Sequence, residues 1–542
     1  MMRHRKTLWL WVGLVCILFS GIYLRIVNLD KTSYTSIEIN EVFNAHQIYL
    51  GATPIFSAND SEQSLLFSRV IHYCFTAFGE SELAARSVSI IWGTLLIVMM
   101  FFVGWRFVGK GNAGIIAAFI TAFHPLLIDF SRIATIHNIY FFLLIFSFYA
   151  FFEGIEGTRE KHTSFIIGSF KIRKIWALWN IDLFWLSVAL LTSWSASTIF
   201  PQGAVLFYGL TGYCAVLFLL QYFHSTPRAA LRLKYGILVV ILTTVAVILW
   251  VNNSTFFIPA PNWSLQNVMG HGSEVDIILL NPANWTLATF ALIGAVFSIV
   301  NMHKAGFYTL AVFLSFLILA QSDTVGVDYF FIFPLFVLLA TYGVFEFAYY
   351  IRRQLDVQLI NVNLEKRLHI TPQRLIMGIF LAIVVYISPW FSDAWNYSNN
   401  SNLLYGSVPL IEWKEVGNYL KQNQNEGEPV ISTNPRLVQY YGLDGHYYTL
   451  RSDKFSVTVA NDSSKNWVDA EIQSPKDFKQ IISQHKTGWI VLENSMLNEN
   501  TLLQLLYTNG MNVAISKSMT TADSTAEIYR WEQARIQNPN EN

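Results

Sequence analysis

Eleven apolar stretches, each about as long as a bilayer-spanning helix, occupy most of the first 391 residues of this chain. A helix needs about 20 apolar residues to cross the hydrocarbon core of a membrane. The pattern therefore predicts an α-helical multi-pass membrane protein with about 11 transmembrane helices. The stretches lie near residues 8–27, 83–105, 113–130, 136–153, 180–196, 199–222, 235–252, 285–301, 305–321, 329–350 and 375–391.

The composition agrees with a membrane protein and argues against other classes. Hydrophobic residues make up 53% of the 542 residues and charged residues 13%, whereas about 25% of a typical soluble protein is charged. The formal net charge is 0, which argues against nucleic acid as a partner. The three cysteines lie in or near apolar segments, so they predict neither a disulfide framework nor a cysteine metal site.

Positive charges predict the orientation of the chain in the membrane. The first apolar run, LWLWVGLVCILFSGIYL, is too long for a signal peptide and is interpreted as an uncleaved helix. Lysine and arginine then concentrate in alternate loops, so the positive-inside rule places the N-terminus in the cytoplasm. The predicted inner segments carry Arg3, Arg5, Lys6, Arg106, Lys110, Arg159, Lys161, Lys171, Arg173, Lys174, Arg228, Arg232, Lys234, Lys304, Arg352, Arg353, Lys366, Arg367 and Arg374.

Two domains follow from this topology. Residues 1–391 are predicted to form the domain embedded in the cell membrane, with outer loops at 28–82 and 253–284. An odd number of spans places residues 392–542 outside the cytoplasm. There, apparent strands such as EPVIST and GWIVLEN alternate with amphipathic helices such as EWKEVGNYLKQN, SPKDFKQIISQH and ENTLLQLLYTNG. This alternation predicts a small soluble α/β domain.

Acids and arginines meet at the predicted outer face. The segment TSIEINEVFNAHQIYLG brings Glu38 and Glu41 just past the first apolar run, while Arg86 and Arg132 precede later ones. Ionisable residues near membrane depth usually face a cavity, and such a set suits binding of a lipid phosphate and deprotonation of an acceptor. Two simpler interpretations stay open: the acids are solvated loop residues, and the arginines extend to the interface or pair with a nearby acid.

The order of segments resembles the GT-C membrane glycosyltransferases that use polyprenyl-phosphate sugars, among them protein O-mannosyltransferases and the lipid A aminoarabinose transferase. The resemblance rests on FGESELAARSVSIIWGTLLIV, AAFITAFHPLLIDFSRIATIHNIYFFLL and DYFFIFPLFVLLATYGV, and it covers most of residues 1–391. FGESELAARSVS is the most specific piece, because the family shows a Phe-Gly-x-Ser-x-x-Ala-x-Arg pattern there. The resemblance implies a GT-C-like membrane domain, and the C-terminal domain fits relatives that carry an added extracytoplasmic domain.

The resemblance also implies roles for individual residues. Relatives place an Asp-Glu pair after the first helix, with the aspartate as catalytic base; here Asn40 takes the aspartate position and Glu41 the glutamate position. The base is therefore expected to be Glu41 or Glu38. The expected ligands of the donor phosphate are Arg86 and Arg132, with Arg69 as a further candidate, and the expected substrate-binding residues are Glu62, Asn40 and His137.

The implied reaction is inverting transfer of a sugar from a polyprenyl-phosphate donor to an acceptor hydroxyl on the outer face. The acceptor is a protein, a lipid or a glycan, and membrane lipids surround the helices. Arginines can neutralise a departing monophosphate, so no cofactor or metal is required, although a divalent cation held by Glu62 and a histidine is a further option. The non-enzyme alternative is a catalytically degenerate relative that binds lipid-linked sugars or organises surface-glycan assembly, and the exchanges at Asn40, Gln63 and His137 favour it.

Overall fold

The structure, a computed structural model, describes the chain in segments. These are residues 2–29, 32–35, 38–51, 62–109, 111–157, 181–199, 205–223, 229–252, 284–301, 303–319, 332–354, 403–404, 408–409, 412–425, 427–442, 447–449, 470–471, 475–493, 513–521 and 526–533.

Helices dominate the described residues before residue 355. They are α1 (Met2–Ile26), α2 (Ile39–Tyr49), α3 (Glu62–Phe78), α4 (Glu82–Val108), α5 (Gly111–Phe123), α6 (Pro125–Arg132), α7 (His137–Glu156), α8 (Leu183–Ile199), α9 (Val205–Phe223), α10 (Ala229–Asn252), α11 (Trp285–Val300), α12 (Lys304–Leu319) and α13 (Phe333–Gln354). The predicted apolar stretches up to residue 350 coincide with these helices. The last stretch, 375–391, lies outside the described residues.

Length and apolarity identify the helices that can cross a membrane. Within the described segments there are four: Leu8–Ile26, Glu82–Val108, His137–Glu156 and Phe333–Tyr350. A fifth span arises if α5 and α6 count as one, with a bend of 58° between them. The remaining apolar helices are shorter, so the chain is a multi-pass membrane protein and the number of eleven spans stays a prediction.

The described chain divides into two compact units. The first consists of Met1–Leu24, Ile91–Ile128 and His137–Trp395. In its core, Leu14 and Ile17 of α1 pack against Ile97 and Phe101 of α4 and against Ala118 of α5. Apolar side chains on every helix face are typical of spans that have protein on one side and lipid on the other.

Glycines allow a close crossing of α11 and α13 in the first unit. A methyl group added to Gly294 of α11 would overlap the backbone of Leu339, and one added to Gly343 of α13 would overlap that of Phe290. Small residues at facing positions let helix backbones approach in a membrane, where packing replaces the hydrophobic effect as the driving force.

The second unit consists of Arg25–Ile90, Asp129–Ile136 and Asn396–Asn542. Its C-terminal part contains helices α14 (Trp413–Asn423), α15 (Pro435–Tyr441) and α16 (Pro475–Gln484). The strands are β1 (Leu403–Leu404), β2 (Val408–Pro409), β3 (Val430–Ser432), β4 (Tyr447–Thr449), β5 (Ala470–Glu471), β6 (Thr487–Glu493), β7 (Val513–Thr520) and β8 (Ala526–Gln533). A six-stranded sheet has the order β5-β4-β3-β6-β8-β7.

The sheet is parallel on one side and antiparallel on the other. Strand β3 pairs in parallel with β4 and β6, and β8 pairs antiparallel with β6 and β7. The predicted helices within 412–423 and 474–485 and the predicted strands within 428–433 and 488–494 coincide with α14, α16, β3 and β6. The predicted helix at 499–510 lies outside the described residues.

A buried carboxylate just before β3 binds side chains of β6 and β8, in the interior of this sheet. Glu428, which is 7% exposed, accepts hydrogen bonds from Asn425, Thr487 and the Trp489 indole at 2.7–3.0 Å. Arg530 lies 3.2 Å from the same carboxylate. Burial alone would raise the pKa of Glu428, but these donors outweigh it and lower the pKa to about 2.

Replacing this carboxylate is expected to destabilise the C-terminal part of the chain. The folded pKa of about 2 lies below the usual 4.5, so the contribution is complete above pH ~4.5 and is lost as the pH falls towards 2. Glu428→Gln should lower the free energy of unfolding by about 2–3 kcal/mol at neutral pH. Denaturant unfolding of the full chain, followed by tryptophan fluorescence, measures this loss. Glu532→Gln, at an exposed position of β8, is the control, and equal stability of the two variants would contradict the prediction.

Candidate functional site

A buried ion pair organises the segment between α1 and α4. Arg86 Nη2 lies 2.6 Å from Glu38 Oε1, and Arg86 Nε donates to Glu38 Oε2 at 3.2 Å. The same carboxylate accepts hydrogen bonds from the backbone N–H of Thr35 at 2.8 Å and of Ala134 at 2.6 Å. Glu38 is 0% exposed and Arg86 is 1% exposed. Four donors therefore satisfy both oxygens of Glu38.

The remaining donors of Arg86 bind the backbone that follows α1. Nη1 donates to Leu29 O at 2.9 Å, to Thr32 O at 3.1 Å and to Thr32 Oγ1 at 2.6 Å. Nη2 donates to Ser33 O at 2.8 Å. The guanidinium carbon also lies 5.2 Å from the centre of the Tyr34 ring. The planar fork of an arginine matches such a set of acceptors, and it holds the backbone at Leu29, Thr32 and Ser33.

Helix α2 carries the second predicted acid. Glu41 lies in its first turn and is partly buried, and the N-terminal end of a helix favours negative charge. Asn40, one residue earlier, accepts a hydrogen bond through Oδ1 from Arg436 Nη1 at 2.6 Å. One turn further on, Asn44 is 1% exposed. The first two turns of this helix thus carry three polar side chains, those of Asn40, Glu41 and Asn44.

Helix α15 lies against the same segment through two tyrosines. Tyr440 donates to Glu80 at 2.7 Å, and Tyr441 donates to Glu82 at 3.2 Å. The Tyr441 oxygen also accepts from the backbone N–H of Tyr34 at 2.9 Å. Burial raises the pKa of all three tyrosines above the usual value, so their hydroxyls stay protonated.

His46 of α2 completes the contact around Glu80. His46 Nδ1 lies 2.7 Å from Glu80 Oε1, and the His46 ring packs edge-on against Tyr440 with ring centres 5.5 Å apart. Burial alone would raise the pKa of Glu80, but the hydrogen bonds from His46 and Tyr440 outweigh it and lower that pKa. The charged form of Glu80 therefore ties α2 to α15.

Two further arginines are buried where α1 and α6 end. Arg132 is 6% exposed and donates from Nη1 to Val27 O at 2.8 Å. Arg25 is 0% exposed and donates from Nε to Ser131 Oγ at 3.0 Å. Sequence reasoning included Arg25 in the first apolar run and did not select it. The available signal was a cation near the predicted outer end of a span, against the positive-inside trend.

The other predicted residues are distributed over several elements. Arg69 is exposed on α3, and Glu62 is the first residue of that helix, with a side chain outside the described residues. His137 is the first residue of α7 and belongs to the first unit. No group of three or more metal-ligating side chains occurs among the residues that the structure describes. The second unit thus brings together Glu38, Glu41, Asn40, Arg86 and Arg132.

Comparison with known proteins identifies the fold. A family model described as dolichyl-phosphate-mannose-protein mannosyltransferase matches residues 62–170, which include the segment FGESELAARSVS. The oligosaccharyltransferase of Archaeoglobus fulgidus in its apo form aligns over 90% of this chain and 70% of its own, with 13% identity and a TM-score of 0.56. ArnT from Cupriavidus metallidurans in the apo state aligns over 97% of this chain and 98% of its own, with 12% identity and a TM-score of 0.55. The chain has the GT-C fold.

Two solved structures with a similar fold contain lipid phosphates. Archaeal AglB from Archaeoglobus fulgidus, in complex with an inhibitory peptide and a dolichol-phosphate, aligns over 99% of this chain and 75% of its own, with 12% identity and a TM-score of 0.53. ArnT from Cupriavidus metallidurans has also been solved with undecaprenyl phosphate. No curated protein sequence matches the chain. The resemblance to GT-C proteins that the sequence predicts is therefore confirmed for the fold.

Proposed function

We propose that this GT-C protein is a membrane glycosyltransferase that moves a sugar from a polyprenyl-phosphate donor to an acceptor hydroxyl, with inversion at the anomeric carbon. The N-terminus lies in the cytoplasm, and the second unit faces the outer side of the cell membrane. One observation carries the proposal. The second unit gathers the acid Glu41 and the buried cations Arg25 and Arg132, which are the two kinds of group that the reaction requires. The fold and the lipid phosphates bound to ArnT and AglB support it.

We assign the proton-accepting role to Glu41. A general base must be within hydrogen-bond reach of the proton that it removes. Both oxygens of Glu38 already accept hydrogen bonds from Arg86, Thr35 and Ala134, and the residue is 0% exposed. Glu41 is the other acid of this segment; it lies in the first turn of α2 and is only partly buried, so we assign the base to it. Glu38 then acts with Arg86 to position this segment of the chain.

We assign stabilisation of the departing lipid phosphate to Arg25 and Arg132. As the sugar leaves, negative charge builds up on the phosphate, and guanidinium groups fixed in a buried site stabilise that charge strongly. Each arginine donates a hydrogen bond to the end of the other helix. Arg25 of α1 donates to Ser131 of α6, and Arg132 of α6 donates to the backbone carbonyl of Val27, just after α1. Arg69 is exposed and is therefore the weaker candidate for binding the phosphate. Arg86 already forms an ion pair with Glu38, so we do not assign it to the phosphate.

The acceptor is a protein, a lipid or a glycan that carries a free hydroxyl. The oligosaccharyltransferase of Archaeoglobus fulgidus has been solved with a tethered acceptor peptide, which makes a peptide one candidate. The reaction needs no cofactor in this scheme, because cationic side chains neutralise the leaving group. A divalent cation held by Glu62 and a histidine is the variant of the scheme that a metal titration would distinguish.

A second candidate function is binding of lipid-linked sugars without turnover. The observation that favours it is the contact between Asn40 and Arg436 at 2.6 Å. The amide takes the position where relatives carry the catalytic aspartate, and an amide does not accept a proton near neutral pH. On this alternative, Glu41 contributes only to binding.

Sugar transfer by purified full-length protein in liposomes tests the proposal. Radiolabelled mannose, glucose and aminoarabinose would be offered on undecaprenyl and dolichyl phosphate, with an extract of the native membrane as acceptor. We expect transfer of at least one sugar with inverted configuration. Arg132→Ala should reduce affinity for the bare lipid phosphate about tenfold, and Lys421→Ala, an exposed position of α14, should not change it. Tight binding of a donor with no transfer to any acceptor fraction would favour the second candidate.

A further inference from the structure

Asn44 is a buried amide with no hydrogen-bond partner among the described residues. It is 1% exposed, and neither Oδ1 nor Nδ2 has a hydrogen-bond partner within the part of the chain that the structure describes. A carboxamide offers two donors and two acceptor positions. Burying such a group without partners is unfavourable, so a polar ligand that completes these bonds would bind here favourably.

Asn40 lies on the same face of α2. Residues four apart on a helix are neighbours, with about 5–6 Å between their Cβ atoms. A guanidinium group only donates hydrogen bonds, so the atom of Asn40 that faces Arg436 Nη1 at 2.6 Å is Oδ1. The contact therefore fixes the orientation of the amide, and Asn40 presents its N–H₂ group. Arg436 acts here as a positioning residue.

Glu41 lies next to both amides. It follows Asn40 directly and precedes Asn44 by three positions, which also places Glu41 and Asn44 on neighbouring rows of the helix surface. All three side chains belong to the second unit. A ligand held by the two amides would therefore lie beside the acid that we assign as base.

We propose that Asn44 and Asn40 form a recognition site for neighbouring hydroxyl groups of a sugar. A sugar hydroxyl both donates and accepts hydrogen bonds, as does the amide of Asn44, while Asn40 adds donors in an orientation set by Arg436. A carboxylate or phosphate ligand would match the donors but not the unpartnered Oδ1 of Asn44. The assignment rests on the proposed function, and it adds the chemical groups that the site recognises.

Two sources supply such hydroxyls: the glycosyl group of the donor and a glycan acceptor. The test measures affinity of the full chain in nanodiscs for undecaprenyl phosphate and for undecaprenyl-phosphate mannose and glucose. The difference between a sugar-linked lipid and the bare lipid isolates the contribution of the sugar. We expect Asn44→Leu to abolish about a tenfold sugar-dependent gain in affinity and to leave affinity for undecaprenyl phosphate unchanged.

Asn44→Leu also gives a second readout: the variant should be more stable than the wild type although it binds sugar less tightly. Replacing an unpartnered buried amide with an apolar side chain of similar size removes its desolvation cost. Asn44→Leu is therefore expected to raise Tm by about 1–3 °C while it weakens sugar binding. A purely structural asparagine would instead lower Tm when replaced. Gln484→Leu, the same kind of change at an exposed position of α16, should alter neither quantity. Asn44→Ala provides the affinity readout if the leucine does not fit.

The outcomes separate this inference from the proposed function. A loss of the sugar-dependent gain assigns the site to the donor sugar, and an unchanged gain with a raised KM for a glycan acceptor assigns it to the acceptor. If Asn44→Leu and Asn44→Ala change neither, the recognition site is overturned although transfer persists. If wild-type protein binds none of the undecaprenyl lipids, the proposed function fails first, and this inference fails with it.

Discussion

Replacing Glu41 with glutamine is expected to reduce sugar transfer by about 10²–10⁴-fold, the usual contribution of a general base. Glutamine keeps the size of the side chain but cannot take the proton of the attacking hydroxyl. Initial rates of transfer by reconstituted full-length protein, at saturating donor, measure this loss directly. Affinity for the lipid-linked donor should change little, because the base acts on the acceptor.

Glu41→Asp is the informative companion to this variant. It keeps the carboxylate but withdraws it by one methylene group, so activity should fall less than in Glu41→Gln. Correct folding of both variants is checked by their Tm values, which should match that of the wild type. If Glu41→Gln transfers sugar at more than a tenth of the wild-type rate, the base is a different group and the assignment is wrong.

Breaking the buried pair between Glu38 and Arg86 is expected to give a large loss of stability. Removing one partner of a buried ion pair leaves the other charged and without compensation, which costs about 3–5 kcal/mol. Arg86→Ala also removes the donors to Leu29, Thr32 and Ser33. We expect a fall in Tm of about 3–5 °C, measured in detergent with the full chain.

A double-mutant cycle identifies the cause of this loss. Arg86→Ala and Glu38→Ala combined should destabilise the protein by less than the sum of the single changes, with a coupling energy of about 2–3 kcal/mol. Lys421→Ala, an exposed change in the same unit, should stay within about 0.5 kcal/mol of the wild type. An Arg86→Ala protein with wild-type Tm and weakened binding of lipid phosphate would instead support the phosphate-binding role that the family resemblance implies.

The membrane helices were the part of the fold that the sequence predicted best. Apolar runs report transmembrane helices directly, because lipid requires about 20 apolar residues in a row. The runs at 8–27, 83–105 and 136–153 coincide with α1, α4 and α7. The helices α2 and α3 within the predicted loop 28–82 were missed, since they carry too many polar residues for a span and lie inside a segment treated as one loop.

The partners of the site residues could not be predicted. A single sequence shows that Glu38 and Arg86 are present but not that the chain brings them to 2.6 Å, because such pairing depends on how helices pack. The contact of Asn40 with Arg436 joins residues that are 396 positions apart. The outer-face acids and arginines selected from charge and position, Glu38, Glu41, Arg86 and Arg132, lie in the second unit, and their roles stay predictions. Arg25 and Asn44 became candidates only through their burial.

The sequence distances between the paired residues also set the order in which the site forms during synthesis. Arg86 follows Glu38 by 48 residues, about 2–10 s at a translation rate of 5–20 residues per second. Arg436 follows Asn40 by 396 residues, about 20–80 s at the same rate. The ion pair can therefore hold the backbone between α1 and α2 before most of the following residues have been synthesised. Asn40 meets its orienting partner only after Arg436 has been synthesised, well after the ion pair can form. A nascent chain that already has the ion pair would therefore still lack the oriented amide of the sugar site that we propose.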